Sequence, residues 1–229
     1  MLNFQQKEKI LKKYLEILKK CPLFENISDE SLLRMFTCLG ARISVFDKKY
    51  TVFSEGAPAK YIGIVLSGSV QISQTDYFGN RSILGNIYPG EVFAEAFACA
   101  ELETMPVSAV ATEESEIMLV KADHILHTCE NHCGHHGQLI YNLMKDLAKK
   151  TITFHKRIEV TSKRSTREKL LAYLAMEAKE KGSESFDIPF DRQELADYLE
   201  VERSGLSNEI SKLRDEGIIE NKKNHFKLI

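Results

Sequence analysis

The chain has 229 residues, of which 43% are hydrophobic and 28% are charged, and its formal net charge is -2. The length suits two small domains, and the apolar fraction suits packed cores, so a disordered or collagen-like chain is excluded. No stretch reaches the roughly 20 apolar residues of a membrane-spanning helix, and residues 1–20 lack the apolar segment of a secretory signal. The composition therefore favours a soluble, cytoplasmic protein whose five cysteines are reduced thiols.

The apolar period divides the chain into zones. Residues 1–39 have the three- and four-residue spacing of amphipathic helices, with Cys21-Pro22 ending the first helix and Ser28 capping a second over residues 31–39. From residue 41 to 121 the period changes to two, and turn residues recur every few positions, which predicts an antiparallel jelly roll. The expected strands are 42–46, 50–53, 61–66, 69–73, 82–87, 107–111 and 116–120.

After His135 a heptad seam begins, with successive spacings of four and three residues and with Glu and Lys on its flanks. A helix packed into the core of its own chain would be one explanation. A parallel two-chain coiled coil fits better, because the seam is narrow and the other faces are polar. The sequence therefore predicts a homodimer. The seam positions are Ile140, Met144, Leu147, Thr151, Phe154 and Ile158.

The C-terminal zone predicts a winged helix–turn–helix. Asp191 can cap a short helix, the turn 200–202 follows, and a second helix covers residues 203–216 before Gly217. A hairpin over residues 218–228 with a basic tip completes the pattern. Any two short helices joined by a tight turn would match part of this pattern, but the hairpin and the polar outer face of the second helix favour DNA binding.

Candidate DNA contacts lie at the start of both helices, on the outer face of the second helix and at the hairpin tip. They are Arg192, Gln193, Arg203, Ser204, Ser207, Asn208, Lys212, Lys222 and Lys223, with Arg214 as a further phosphate contact. Residues 161–229 carry 13 Lys and Arg against 14 Asp and Glu, so this zone has no basic excess. We therefore expect the positive charge to be concentrated at Arg203, Lys212, Arg214, Lys222 and Lys223, with weak, salt-sensitive binding to non-specific DNA.

Four segments in this order resemble the CRP/FNR family of bacterial transcription regulators: YIGIVLSGSV at 61–70, PGEVFAE at 89–95, the long seam helix, and RQELADYL at 192–199. The resemblance covers nearly the whole chain. It implies an α+β fold with an N-terminal β-roll (a jelly roll like the cyclic-nucleotide-binding domain), a dimerisation helix and a winged helix–turn–helix. The corresponding domains are residues 1–130, 131–160 and 161–229.

The same resemblance implies partners and a mechanism. The partners are a palindromic operator in double-stranded DNA, a second copy of the chain and, as a candidate, RNA polymerase, with no membrane partner. DNA affinity would be controlled allosterically by a signal sensed by the β-roll and the dimer helix. The second helix has Ser204, Ser207 and Asn208 where the family has a Glu-x-x-Ser-Arg pattern. We therefore expect an unusual half-site with more indirect readout.

The effector site departs from the family further. Cyclic-nucleotide-binding members resemble Gly-Glu-x-x-Gly-Glu followed by Arg-Ser-Ala, but this chain has Ala94 for the second Gly and Val107 for the Arg. Loss of that charge-assisted contact argues against cyclic AMP and cyclic GMP, and leaves another small or apolar ligand open. The candidate pocket is Gly90, Glu91, Glu95, Val107, Ser108 and Ala109.

A cluster of histidines and cysteines precedes the seam and is a second candidate sensor. If a helix starts near Thr128, four of these residues share one helical face, and their spacing suits zinc or another thiophilic metal. They are Cys129, His132, Cys133 and His136. The alternative is that the two thiols act as a redox pair. A polar hinge with no ligand is the third interpretation.

An enzyme is the competing class. A cupin-like jelly roll could use the Cys/His cluster as a metal centre, but cupin ligands are expected on paired strands and residues 42–120 contain no histidine. No nucleophile and base pair is recognisable either. The sequence therefore predicts a regulator without enzymatic activity.

Overall fold

The computed structural model describes residues 4–75, 77–78, 81–127 and 135–229. The chain divides into two compact units, Met1–Leu147 and Ala148–Ile229. The three predicted domains, 1–130, 131–160 and 161–229, stay a prediction. In the described ranges, no helix combines the length and the apolar character needed to cross a lipid bilayer.

Helices at the start of the first unit cover one sheet of a β-sandwich. Helix α1 (Phe4–Lys20) ends before Cys21, a 3-10 turn follows at Pro22–Phe24, and α2 spans Asp29–Cys38. The backbone N–H of Ser31 donates to Ser28 Oγ at 3.4 Å, so Ser28 lies at the predicted N-cap. These elements bury their apolar side chains against strand residues in one cluster, which includes Leu18, Leu23 and Leu32.

Eight strands are present in the described part of the first unit, and all their pairings are antiparallel. The strands are β1 (Arg42–Phe46), β2 (Thr51–Phe53), β3 (Tyr61–Ser67), β4 (Val70–Thr75), β5 (Arg81–Ile87), β6 (Val92–Phe93), β7 (Ser108–Ala111) and β8 (Ser115–Lys121). One sheet has the order β1-β8-β3-β6 and the other β2-β7-β4-β5. Two short helices that the sequence did not predict are α3 (Glu95–Cys99), between β6 and β7, and α4 (Asp123–Leu126), after β8.

The long helix α5 spans His136–Thr161, and a buried amide fixes its first turns. The Asn142 side chain is 2% exposed, and its Nδ2 donates to the carbonyl oxygens of Leu23 at 3.0 Å and Glu25 at 2.7 Å. Its Oδ1 accepts from Gln138 Nε2 at 2.9 Å, so the amide is fully satisfied. The buried Asn142 amide therefore supplies the hydrogen-bond donors for two carbonyl oxygens of the turn that precedes α2.

The second unit contains the end of α5 and a winged helix–turn–helix, as predicted. Its other elements are α6 (Thr166–Lys181), β9 (Ser185–Asp187), α7 (Arg192–Leu199), α8 (Arg203–Asp215), β10 (Ile219–Lys222) and β11 (His225–Leu228). Asp191 and Glu194 form a reciprocal capping box at the start of α7, and Gly217 follows α8 with a φ of 73°, in the left-handed region that glycine adopts without strain. The three strands pair in the order β10-β11-β9. The predicted α+β fold class is therefore confirmed.

Candidate DNA-binding and effector sites

Tight packing of α7 against α8 determines which side of α8 faces outward. Leu206 and Leu213 of α8 are fully buried, and Ile210 between them is 3% exposed. On α7, Ala196 is 0% exposed, as expected for a small residue that allows a close helix crossing. The apolar side of α8 is therefore buried in the core, and the opposite side of α8 is exposed for contacts outside the chain.

The predicted base-reading residues lie on that outer side. Ser204, Asn208 and Lys212 are exposed and follow one another at four-residue spacing, so they line one edge of α8. Arg203 is the first residue of α8 and is also exposed, whereas Ser207 is half-buried. The structure thus brings these five predicted contacts onto the outer side of one helix.

The concentration of positive charge is narrower than the sequence suggested. Lys212 Nζ lies 3.7 Å from Glu209 Oε2, and Arg214 Nε lies 3.7 Å from Asp215 Oδ1, so neighbouring acids offset both cations. Arg203, Lys222 and Lys223 are exposed and form no ion pair with any residue that the structure describes. Two of the five cations at which positive charge was expected to concentrate therefore have an acidic neighbour, and DNA contact by all five stays a prediction.

Arg192 and Gln193 at the start of α7 already have contacts inside the unit. The Arg192 guanidinium lies 5.9 Å from the centre of the Phe226 ring on β11. Partial burial, and then the nearby charge of Arg203, lower the pKa of Arg192, so its charged form would gain from an anion beside it. Gln193 Nε2 donates to Asp197 Oδ1 at 2.9 Å. DNA contact by these two residues stays a prediction.

An arginine on α6 holds α8 in place, and sequence reasoning missed it. Arg167 forms a two-pronged ion pair with Glu216, with Nη1 donating to Oε1 at 2.9 Å, and its Nη1 also lies 3.4 Å from Glu209 Oε1. The hydrogen bonds from Arg167 lower the pKa of Glu216. Because more than 40 residues separate these partners in the sequence, no local pattern pointed to them.

The predicted effector residues are distributed between the sandwich core and its surface. Val107 and Ala109 are 4% and 0% exposed, and they pack in an apolar cluster with Phe93 and Ala94. Ser108 Oγ accepts from the Glu55 backbone N–H at 3.1 Å.

The other three predicted effector residues have separate surroundings. Glu91 is exposed, and its Oε2 accepts from the Tyr88 backbone N–H at 2.7 Å. Gly90 is buried, and a Cβ built there would lie in ordinary contact with Ile17 and Lys20 of α1. Glu95 is 5% exposed in the first turn of α3. Only part of the predicted set therefore faces the apolar interior.

These residues do not fit a cyclic phosphate. Ala94 has a φ of 64° and ψ of 2°, so it occupies the left-handed conformation that suits the glycine of the family pattern, but it adds a methyl group there. Val107 supplies a buried apolar side chain where an arginine would pair with the phosphate. The predicted pocket residues include two carboxylates and no cation.

Most of the predicted metal or redox cluster lies outside the described residues, namely Cys129, His132 and Cys133. His136 is 4% exposed, and its Nε2 donates to the Ile125 carbonyl oxygen at 2.8 Å. Helix α5 begins at His136, and His135 before it is in a turn. Among the described residues no group of three His, Cys, Asp or Glu side chains could hold a metal ion. The cluster stays a prediction.

Cys99 is expected to react slowly with thiol reagents at neutral pH. Burial, and then the charge of Glu95, raise the pKa of the Cys99 thiol to about 11. At pH 8 only about 0.1% of it would be the reactive thiolate. Iodoacetamide labelling, followed at this residue by mass spectrometry, should speed up about tenfold per pH unit between pH 7 and 10. A labelling rate that levels off below pH 9 would contradict the raised pKa.

Comparison with known proteins identifies both parts of the chain. The family described as Cyclic nucleotide-binding domain matches residues 43–132, and the Crp-like helix-turn-helix domain matches residues 168–229. The transcriptional activator protein FnrL of Cereibacter sphaeroides is 22% identical over 184 residues, which are 74% of this chain and 68% of FnrL.

Solved structures share the fold at low identity. The global regulator CLP of Xanthomonas campestris is 18% identical, with a TM-score of 0.58 over 87% of this chain and 99% of that chain. The sensor domain of the regulator DNR from Pseudomonas aeruginosa is 22% identical, with a TM-score of 0.52 over 66% of this chain and 94% of that chain. The two family matches, in their order along the chain, confirm the resemblance predicted from the sequence. The chain belongs to the CRP/FNR family of transcription regulators, and its winged helix–turn–helix is a DNA-binding domain.

Proposed function

We propose that the protein is a homodimeric, sequence-specific regulator that binds a palindromic operator, and that a signal acting on its β-roll and α5 controls DNA affinity. The observation that carries this proposal is the exposed outer side of α8, where Arg203, Ser204 and Asn208 are available to base edges and phosphates. A two-fold dimer would present two copies of α8 to two half-sites. The proposed place of action is the cytoplasm, with RNA polymerase as a candidate partner.

The exposed face of α5 supports the dimer. Met144, Phe154 and Ile158 are 65%, 61% and 62% exposed, and Thr151 between them is also exposed. Such a row of large apolar side chains on one helix face gains about 1.5–3 kcal/mol per side chain when it is fully buried. The heptad spacing of the row suits a second identical helix, which would bury the same row from both copies.

The remaining seam positions contribute less exposed surface. Ile140 is half-buried, and Leu147 packs partly against the core of the first unit. Tyr141 and Ile152 lie beside the seam and are 60% and 57% exposed. We infer that the contact between copies is strongest around Met144 and from Thr151 to Ile158.

The DNA proposal is tested by selecting an operator from a random double-stranded DNA library with the purified full chain. Enrichment of a palindrome with two half-sites is the expected result. Because Ser204 and Asn208 replace charged residues of the family pattern, we expect a half-site that differs from the usual one of the family. A library that yields no enriched sequence would contradict sequence-specific binding.

Arg203→Ala is expected to lower affinity for that operator by about 10–100-fold, since one cation that makes no ion pair with the described residues is removed from the start of α8. The matched control is Lys227→Ala on β11, because Lys227 Nζ lies 3.4 Å from Glu220 and its charge is already offset. The control should change affinity by no more than about threefold. Fluorescence anisotropy at a fixed salt concentration measures both variants, and equal losses would contradict the assignment.

The signal is proposed to be something other than cyclic AMP or cyclic GMP, given the poor fit at Ala94 and Val107. Neither nucleotide should bind in calorimetric titrations or change operator affinity. CLP is described as responsive to c-di-GMP, so this dinucleotide belongs in the same titrations. Saturable binding of cyclic AMP with a change in operator affinity would overturn this part of the proposal.

The Cys/His cluster is a second proposed sensor, for a thiophilic metal or for oxidants. Metal analysis of protein purified without air, together with operator binding before and after oxidant, tests it. Cys129→Ser and Cys133→Ser should abolish the metal content or the oxidant response. If the unaltered protein has neither, the segment is a polar hinge.

A further inference from the structure

Glu200, in the turn of the helix–turn–helix, has a backbone conformation that needs support. It has a φ of 54° and ψ of 55°, in the left-handed region that residues with a side chain rarely adopt. Its backbone N–H and that of Val201 close the end of α7 onto the carbonyl of Ala196. Since α8 begins at Arg203, the conformation of Glu200 sets the direction in which α8 leaves the turn.

Two cations from other helices contact this turn. Lys169 Nζ of α6 donates to the carbonyl oxygens of Leu199 at 3.1 Å and Glu200 at 3.4 Å, which satisfies acceptors that a helix end leaves open. Arg157 of α5 places its Nη2 3.5 Å from Glu200 Oε1. The turn is therefore tied to both preceding helices.

Arg157 also contacts the last turn of α7 through an aromatic ring. Its guanidinium lies 5.6 Å from the centre of the Tyr198 ring. That ring is packed in turn against Phe190 and Tyr173, with ring centres 5.0 and 5.3 Å away. Arg157 Nε is buried and has no hydrogen-bond acceptor among the described residues. The guanidinium is thus held by the ring on one side and by the Glu200 carboxylate at its tip.

We infer that Arg157 is a positioning residue for DNA recognition: through Glu200 and Tyr198 it links the end of α5 to the turn that aims α8. This inference rests on the proposed function, because it assumes that α8 reads the operator. A displacement of the end of α5 would move the guanidinium, and the Glu200 turn and α8 would then change direction. The contact therefore offers a route by which a signal on α5 reaches the DNA-binding surface.

The test is a double-mutant cycle in the full chain with Arg157→Gln and Glu200→Gln. Each single variant is expected to weaken binding to the selected operator by at least about fivefold. The double variant should bind no more weakly than the single variant with the larger loss of affinity. Glu200→Gln is the most informative variant, because removal of a negative charge near DNA would by itself tighten binding. Weaker operator binding, with unchanged or tighter binding to a scrambled duplex, is the result that a positioning role requires.

The matched control is the pair of Lys156 and Glu180, which joins α5 to α6 and does not contact the turn. Lys156→Gln and Glu180→Gln remove the same charges, and their effects should be additive and within about twofold. Arg157→Lys keeps the positive charge and is the variant to measure if Arg157→Gln does not fold. It should retain most of the operator affinity.

Tighter operator binding by Glu200→Gln, additive single effects, or equal losses in the control pair would overturn the inference. If the unaltered chain selects no operator, the proposed function itself fails, so the two failures can be told apart.

Discussion

Phe154→Asp is expected to convert the protein to a monomer and to lower affinity for a palindromic operator by about 100-fold or more. Phe154 is 61% exposed in the single chain and lies on the seam of α5. In a two-fold dimer each copy would bury one aspartate, so two carboxylates would lose water at the same interface. A monomer keeps its helix–turn–helix but contacts one half-site at a time, which removes the gain from two linked contacts. Analytical ultracentrifugation and operator anisotropy measure the two effects.

The control is His155→Asp, which introduces the same side chain one residue further along α5 at an exposed position outside the seam. It should leave both the dimer and the operator affinity within about threefold of the unaltered protein. If Phe154→Asp remains a dimer, the exposed face of α5 is not the contact between copies. If it is monomeric but binds the palindrome normally, dimerisation does not contribute to DNA affinity.

The sequence predicted those parts of the fold that local chemistry determines. Asp191 caps α7, Ser28 lies at the N-cap of α2, and Gly217 follows α8 in a left-handed conformation. A residue type that satisfies open backbone groups, or that tolerates a positive φ, signals its role wherever it stands. Strand β7 was predictable for a similar reason, because Ala109 and Ala111 are buried and alternate with half-buried Ser108 and Val110, which gives the period of two.

Features that depend on distant partners could not be predicted in the same way. The two-residue strand β6 exists because Val92 and Phe93 pair with Ile64 and Gly63, about 30 residues earlier. Ala94 gives no local signal of its left-handed conformation, because alanine normally avoids that region. The contact of Arg157 with Glu200 joins residues 43 positions apart.

Net charge was a weak guide to function in this chain. Exposed Arg203, Lys222 and Lys223 form no ion pairs with the described residues, whereas acids neutralise other cations of the same unit, such as Arg167. A near-neutral domain can therefore still present a positive surface where DNA would lie. Because the family consists of transcription regulators, the alternative of a cupin-like enzyme is excluded and the prediction of a non-enzyme is confirmed.

Gly68 lies where two turns of the β-sandwich are in close contact, so that a side chain has no room there. Gly68 has a φ of 77°, and a Cβ built there would lie 2.3 Å from Ser115 Oγ and 2.5 Å from the Glu114 carbonyl oxygen. The Ser69 backbone N–H donates to the same Ser115 Oγ at 3.1 Å, so the hydroxyl cannot move aside without breaking that hydrogen bond. A substituent at residue 68 would therefore have to displace backbone.

Gly68→Ala is expected to lower the free energy of unfolding by about 4 kcal/mol, of which about 1–2 kcal/mol is left-handed backbone strain and the rest is the clash. Gly56→Ala isolates the strain, because Gly56 has a φ of 80° in the same unit and nothing within 4 Å of a built Cβ. It should cost only about 1–2 kcal/mol. Urea unfolding followed by circular dichroism measures both variants in the full chain. If both variants lose the same free energy of unfolding, the two turns can move apart to admit the new methyl group. Only backbone strain would then oppose a side chain at residue 68.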